Sequence, residues 1–317
     1  MAHNINDGRM FVNGKCWHNE GVRVDTNLTS AEAIVTAKLN VPVITKPVYA
    51  EVNGQFFPIE GKNCTMRQDN NAVLGVVGDR YKVLQNVEAF SFFDDVVKTG
   101  DAIYHSAGML GKGERIWILA KLPKDLIVFR DDVVEKYLLL TNSHDGTSTI
   151  KMYFTPIRVV CQNTLNASLK NSKDGISIRH TTNMKFKIEE ARKVLGLALD
   201  FYGDFEINAI KMTKKTLSEN EISSYYDKVL KIDDMENAST RVLNQKEELI
   251  SLQKNGKGNN IDGLKNTVWT AYNAVTEYID HYRTVKGGDV NRINSVVFGS
   301  GAKMKETALE KALELVG

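Results

Sequence analysis

Glu277, Asp280 and His281 are the residues whose types and spacing come nearest to a catalytic set, because positions three and four apart share a helix face and two of the three pairs qualify. Two carboxylates and an imidazole could move a proton or hold a divalent metal. The pattern is not H-E-x-x-H, one helix cannot complete a coordination shell, and the rest of the chain supplies no clustered ligands. Hydrogen bonding inside a helical bundle is therefore the expected role. His18 beside Trp17 has no second histidine at ligand spacing and reads as a surface imidazole next to a packed ring. The run GMLGKGE lacks the Ser or Thr that would follow the lysine of a phosphate loop, and it joins two strands instead of a strand and a helix. There is no G-x-S-x-G and no dinucleotide fingerprint. A non-enzyme is expected, with no catalytic residue, no metal and no cofactor.

The other chemistry on offer is anion binding. Between residues 151 and 187 stand Lys151, Arg158, Lys170, Lys173, Arg179, Lys185 and Lys187 against a single acid, Asp174, in a chain of 317 residues with a formal net charge of only +2. Such a local excess could follow a phosphate backbone, with Tyr153 as a stacking platform for a base. An ordinary solvated face would account for the same charges.

The elements that must position these residues fall into two groups. From Val41 onward the chain alternates in short apolar runs punctuated by Asn53-Gly54, Gly111-Lys112-Gly113 and Asp145-Gly146, which predict antiparallel hairpins. Pro42, Pro47 and Pro58 belong at strand starts or edges. A short helix capped by Thr29 or Ser30, a second with Asn86 as N-cap and Gly100 as its stop, and a third over PIRVVCQNTLNASLK should lie on that sheet. Beyond Lys187 the periodicity is helical: a helix from Ile188 stopping near Gly203, one opened by the capping box Ser218 to Glu221, one over residues 237–254, a flexible NGKGNNIDG loop, a long helix through IDGLKNTVWTAYNAVTEYIDHYR with Leu264, Val268, Ala271, Val275, Tyr278 and Tyr282 on one stripe, and a closing helix. The expected class is α+β, with an antiparallel sheet and flanking helices in a domain of residues 1–187, followed by a mainly helical domain of residues 188–317.

Cys16, Cys64 and Cys161 have neither zinc-knuckle spacing nor the numbers of a disulfide framework. With no signal-peptide pattern and no apolar run long enough for a membrane span, a soluble cytoplasmic protein without a membrane partner is expected.

Several segments carry a family resemblance. MAHNIN, Cys16-Trp17-His18 followed by Gly21, GDRYKVLQNVEAFSFFDDVV and above all NTVWTAYNAVTEYIDHYR resemble a phage- and plasmid-borne family known as a domain of unknown function. A proline usually stands in that family where this chain has Cys16. The resemblance implies a mobile-element origin and a bacterial host cytoplasm. In its order of helix, antiparallel hairpins and following helix (residues 87–97, 103–154 and 157–169) the chain is also similar to single-strand annealing proteins, the Rad-type annealers and their phage relatives. Together with the basic stretch this implies a non-enzymatic protein that binds and anneals single-stranded DNA in phage recombination, acting as a homo-oligomer. The alternatives are a phage protein that binds and inhibits a host defence protein, and a metal-dependent nuclease or hydrolase using Glu277, Asp280 or His281.

Overall fold

The computed structural model describes residues 5–13, 22–99, 102–160, 163–164, 175–178, 180, 188–233, 237–286 and 291–317. In chain order these form β1 (Ile5–Asn13), β2 (Val22–Val24), α1 (Ser30–Thr36), β3 (Val43–Val52), β4 (Gln55–Arg67), β5 (Val73–Gly78) and α2 (Asn86–Thr99). Then come β6 (Ile103–Leu110), β7 (Arg115–Lys121), β8 (Leu126–Phe129), β9 (Asp132–Ser143), β10 (Ile150–Arg158), β11 (Asn163–Thr164) and β12 (Gly175–Ile178). The rest is α3 (Ile188–Lys214), α4 (Glu219–Leu230), α5 (Thr240–Asn255), α6 (Val268–Glu277), a π-helical turn (Tyr278–Tyr282), α7 (Arg292–Phe298) and α8 (Ser300–Val316). The class is α+β, with antiparallel sheets and flanking helices ahead of a helical C-terminal region.

Two compact units divide the chain. One comprises Met1–Pro123, Leu138–Tyr153 and Gly175–Leu197, the other Lys124–Tyr137, Phe154–Asp174 and Ala198–Gly317. Strands β9 and β10 give residues to both units.

In the first unit β3, β4 and β5 make one small sheet, and strands in the order β12-β10-β9-β7-β6-β1-β2 make another. The hairpins sit at the turn residues that the sequence marks. Asn53 and Gly54 both take positive φ, 51° and 79°, and bring Val52 opposite Gln55, as a type I′ turn requires. Pro47 lies in the edge strand β3, and Pro58 lies in a part of β4 that pairs only with β3, since β5 joins β4 from Lys62 onward. Each proline therefore sits where its missing N–H costs least. Thr29 caps α1 in a reciprocal capping box with Glu32. Phe90 and Phe93 of α2 meet Tyr104 of β6 with ring centroids 6.0 Å apart in each case, and Ala107, Ile116 and Ile118 of β6 and β7 are fully buried.

In the second unit β8 pairs with the start of β9, and β11 with the end of β10. The core there is aromatic. Phe154 and Phe201 are 5.2 Å apart, Phe201 and Tyr202 5.1 Å, Phe205 and Trp269 6.4 Å, and Trp269 and Tyr272 6.1 Å. The Tyr202 hydroxyl donates to the Tyr137 carbonyl at 2.6 Å and accepts from the Tyr137 N–H at 2.8 Å, so a helix side chain satisfies both backbone groups of one strand residue.

Four local expectations are corrected. Residues 156–158 continue β10 instead of opening a helix: the Val159 N–H bonds to the Val133 carbonyl and Arg158 pairs with Asn163 across the ladder. Pairing with neighbouring strands outweighed the three- and four-residue spacing of Ile157 and Val160. Leu165 and Leu169 lie outside the described residues, as do Cys16, Trp17 and His18. Helix α3 runs through Gly203 to Lys214, where burial of Phe205, Ala209 and Met212 exceeds the ~1 kcal/mol that a helical glycine costs. Asn86 begins α2 without capping it; its side chain donates to the Leu39 carbonyl at 3.0 Å and meets His144 Nε2 at 2.8 Å. The long C-terminal helix is shorter than its pattern, with regular α6 giving way to the π turn, where the Arg283 N–H reaches back five residues to the Tyr278 carbonyl.

His144 follows the end of β9 fully enclosed, with Nδ1 lacking a hydrogen-bond partner. Burial, followed by the nearby His180, pushes its pKa down to about 4 from an ordinary 6.5. A folded pKa below the unfolded one means that the unfolded chain takes up the proton first. Stability is therefore complete above pH 6.5 and falls as pH drops toward 4, by up to about 3 kcal/mol. Urea midpoints measured from pH 7 to pH 4 should show that decline, and His144→Gln, which retains a donor for Asn86, should flatten it.

Candidate functional site

The basic stretch divides. Lys151 and Tyr153 point to the same face of β10, both half-buried, with the Lys151 ammonium 5.9 Å from the Tyr153 ring centroid. Lys170, Lys173, Arg179, Lys185 and Lys187 lie outside the described residues. Arg158 has to be removed from the set of phosphate contacts, because it is 0% exposed and its guanidinium is committed to the protein interior.

That commitment is extensive. Arg158 Nε donates to both oxygens of Asp132, at 2.8 and 3.0 Å, and Nη2 to Asp132 Oδ2 at 2.7 Å. Nη1 donates to Asn259 Oδ1 at 3.1 Å and Nη2 also to the Gly258 carbonyl at 2.9 Å. The indole N–H of Trp269 donates to Asp132 Oδ2 at 2.8 Å, and the guanidinium lies 5.6 Å from the Trp269 ring centroid. The loop expected to be flexible is thereby anchored. Gly258 has φ +75°, and a Cβ there would stand 2.5 Å from Val160 Cγ1 and 3.0 Å from Arg158 Nη2, so a side chain could not be accommodated without displacing the guanidinium.

Glu277 and Asp280 are buried and engaged in contacts with the protein. Glu277 accepts the Lys257 N–H at 3.0 Å; burial pushes its pKa up, against the Lys257 N–H and the charges of Lys257 and Arg158. Asp280 pairs with Lys305 of α8, a lysine that is itself fully buried. His281 is half-buried in the π turn. Among the described residues no group of three or more His, Cys, Asp or Glu side chains could hold a metal ion.

The same π turn borders a cleft of about 570 Å³ lined by Arg241, Asn244, Gln245, Glu248, Tyr278, Tyr282 and Thr284. The first four recur at i, i+3, i+4 and i+7 and so occupy one face of α5, while Lys246, Leu249, Leu252 and Gln253 of the same helix are buried. Tyr282 is 52% exposed and Tyr278 is buried. Burial raises the Tyr278 pKa, Arg283, Gln245 and Arg241 act to lower it, and the Glu248 carboxylate adds to the rise. Burial also lowers the pKa of Arg283, and the charge of Arg241 adds to that effect. Its Nη1 atom is buried without a hydrogen-bond partner. Arg241, the Asn244 and Gln245 amides and the exposed Tyr282 ring share the cleft with one acid, Glu248, and Arg283 is not among the lining residues. The i, i+3, i+4, i+7 run was legible in the sequence. Tyr278 and Tyr282 read there as part of an apolar stripe, and only the fold brings them to α5.

The family described as "Domain of unknown function (DUF932)" matches residues 73–297. No curated protein and no solved structure matches the chain.

Arg158→Met should cost about 3–5 kcal/mol in urea unfolding, since it strands the Asp132 carboxylate in the interior. The double variant Arg158→Met, Asp132→Asn should lose clearly less than the single one, because no unpaired charge remains.

Proposed function

Because the chain belongs to the family described as "Domain of unknown function (DUF932)", whose description carries no activity, we propose a function from the chemistry of the cleft: binding of single-stranded DNA without catalysis. The observation that supports this reading is the combination, in the cleft beside the π turn, of the Arg241 guanidinium, the Asn244 and Gln245 amides and the exposed Tyr282 ring. Single strands offer phosphates for arginines and unpaired bases for an aromatic face, and stacking needs no particular base. Lys151 and Tyr153 repeat the pairing of cation and ring on β10. We assign this binding to strand annealing in recombination of a mobile element. The assignment is supported by the order of helix and antiparallel hairpins, α2 followed by β6 to β10, which resembles annealing proteins without the helix expected over residues 157–169, and by the phage- and plasmid-borne resemblance of the NTVWTAYNAVTEYIDHYR segment.

Anisotropy titrations with single-stranded and duplex DNA at about 50 and 200 mM salt test the reading, because phosphate contacts release counterions. Single strands should bind more tightly than duplex. Tyr282→Ala should weaken single-strand binding by the ~1–3 kcal/mol of one stacked base, at unchanged salt slope. Arg241→Glu should weaken it and reduce the slope by about 0.7 or more. Both side chains are exposed, so circular dichroism and urea midpoints should not move. Absence of single-strand binding, or titrations unaltered in both variants, would refute the proposal.

A further inference from the structure

The cleft beside the π turn holds one group that a plain phosphate site would exclude. Glu248 ends the row of lining residues on α5 that Arg241 begins. About two helical turns, or about 10.5 Å along the axis, separate their backbones. At that spacing the two charges do not pair with each other, and neither forms an ion pair with another of the described residues. The cleft is graded in exposure. Arg241, Asn244 and Tyr282 are exposed, whereas Gln245 and Glu248 are half-buried and Tyr278 is buried. The Gln245 side chain hydrogen-bonds to the Tyr278 phenol, which leaves Glu248 as the uncommitted group at the more enclosed end.

We propose that Glu248 reads the Watson–Crick edge of guanine and makes the cleft selective for guanine in single-stranded DNA, an inference that rests on the strand-binding reading above. An ionised carboxylate only accepts hydrogen bonds, and it does so best from two parallel N–H donors. Among the DNA bases guanine alone carries two adjacent donors on that edge, the ring N1–H and the N2 amine. Adenine and cytosine each set one amine beside a bare ring nitrogen, and thymine sets its one N–H between two carbonyls. With those three bases the second carboxylate oxygen would face a lone pair. The edge is open in unpaired strands and occupied by the partner base in a duplex. The other contacts carry no such preference, since a ring such as Tyr282 stacks on any base and Arg241 would meet a phosphate whatever base it bears. The distance between Arg241 and Glu248 leaves room for a phosphate at one end and a base edge at the other. Selection therefore falls to Glu248, whose charge would otherwise only oppose the binding of a phosphate.

Anisotropy titrations of the full chain with thymine strands carrying one central guanine, adenine, cytosine or hypoxanthine test the inference. The guanine strand should bind at least about fivefold more tightly than the adenine and cytosine strands, the lower end of what a bidentate base contact discriminates. Hypoxanthine keeps N1–H and lacks the N2 amine, so its strand should fall between guanine and adenine. Glu248→Gln exchanges one acceptor oxygen for a donor in nearly the same volume. It should bring guanine level with adenine while the salt slope and the circular dichroism stay unchanged. Calorimetric titrations with deoxyguanosine and deoxyadenosine monophosphates separate the inference from the reading beneath it. Strands that bind alike whatever the central base, hypoxanthine equal to guanine, or a guanine preference that survives Glu248→Gln would overturn guanine selectivity and leave strand binding standing. Selective binding of the guanine mononucleotide without strand binding would overturn the strand reading alone, and absence of both would overturn the two together.

Discussion

The second compact unit depends on one buried ion pair. Moving a guanidinium and a carboxylate out of water costs several kcal/mol for each, and Arg158 and Asp132 are both fully enclosed. The arrangement holds because the surrounding groups answer them: Asp132 accepts from Nε, Nη2 and the Trp269 indole, and Arg158 delivers further bonds to Asn259 and the Gly258 carbonyl. Four stretches of chain that are remote in sequence thus have one acceptable arrangement around a single charge. The start of β9, the end of β10, the Gly256 to Asn259 turn and the first turn of α6 cannot shift independently.

A second pair, Asp280 with Lys305, works in the same way at the π turn. Gly301 permits the close approach of α8, since a Cβ there would come within 2.8 Å of the Ser295 carbonyl oxygen and 2.9 Å of Ile279 Cγ2. With Glu277 and Asp280 used inward, the outward chemistry of this region passes to their neighbours. Tyr278 and Tyr282 flank the wider π turn and face the polar stripe of α5. The carboxylates that look catalytic in the sequence hold the scaffold, and the tyrosines that look structural line the cleft.

Local patterns were legible where the physics is local. A capping box needs only residues three apart, and both Thr29 with Glu32 and Ser218 with Glu221 form as spaced. Asn53-Gly54 closes its hairpin because positive φ at both positions is a property of those residue types. Residues 156–160 went the other way: their three- and four-residue spacing is compatible with a helix, yet strand pairing with Val133 and Asn163 supplies backbone partners that no local pattern announces. Asn86 has the chemistry of an N-cap, but His144 and the Leu39 carbonyl offered its side chain partners inside the fold.

The sequence by itself determined the class: hairpin turns, prolines at edges, helix caps and the change from period-two to helical patterning along the chain, all of which arise from each residue's own conformational preferences. Only the tertiary structure decided which charges serve the interior and which remain available. A positive side chain such as Arg158 is indistinguishable in sequence from Lys151. Its fate depends on whether the carboxylate of Asp132 at the start of β9, a glycine turn and an indole converge on it, and convergence of that kind is set by packing and desolvation, which have no signature in residue spacing.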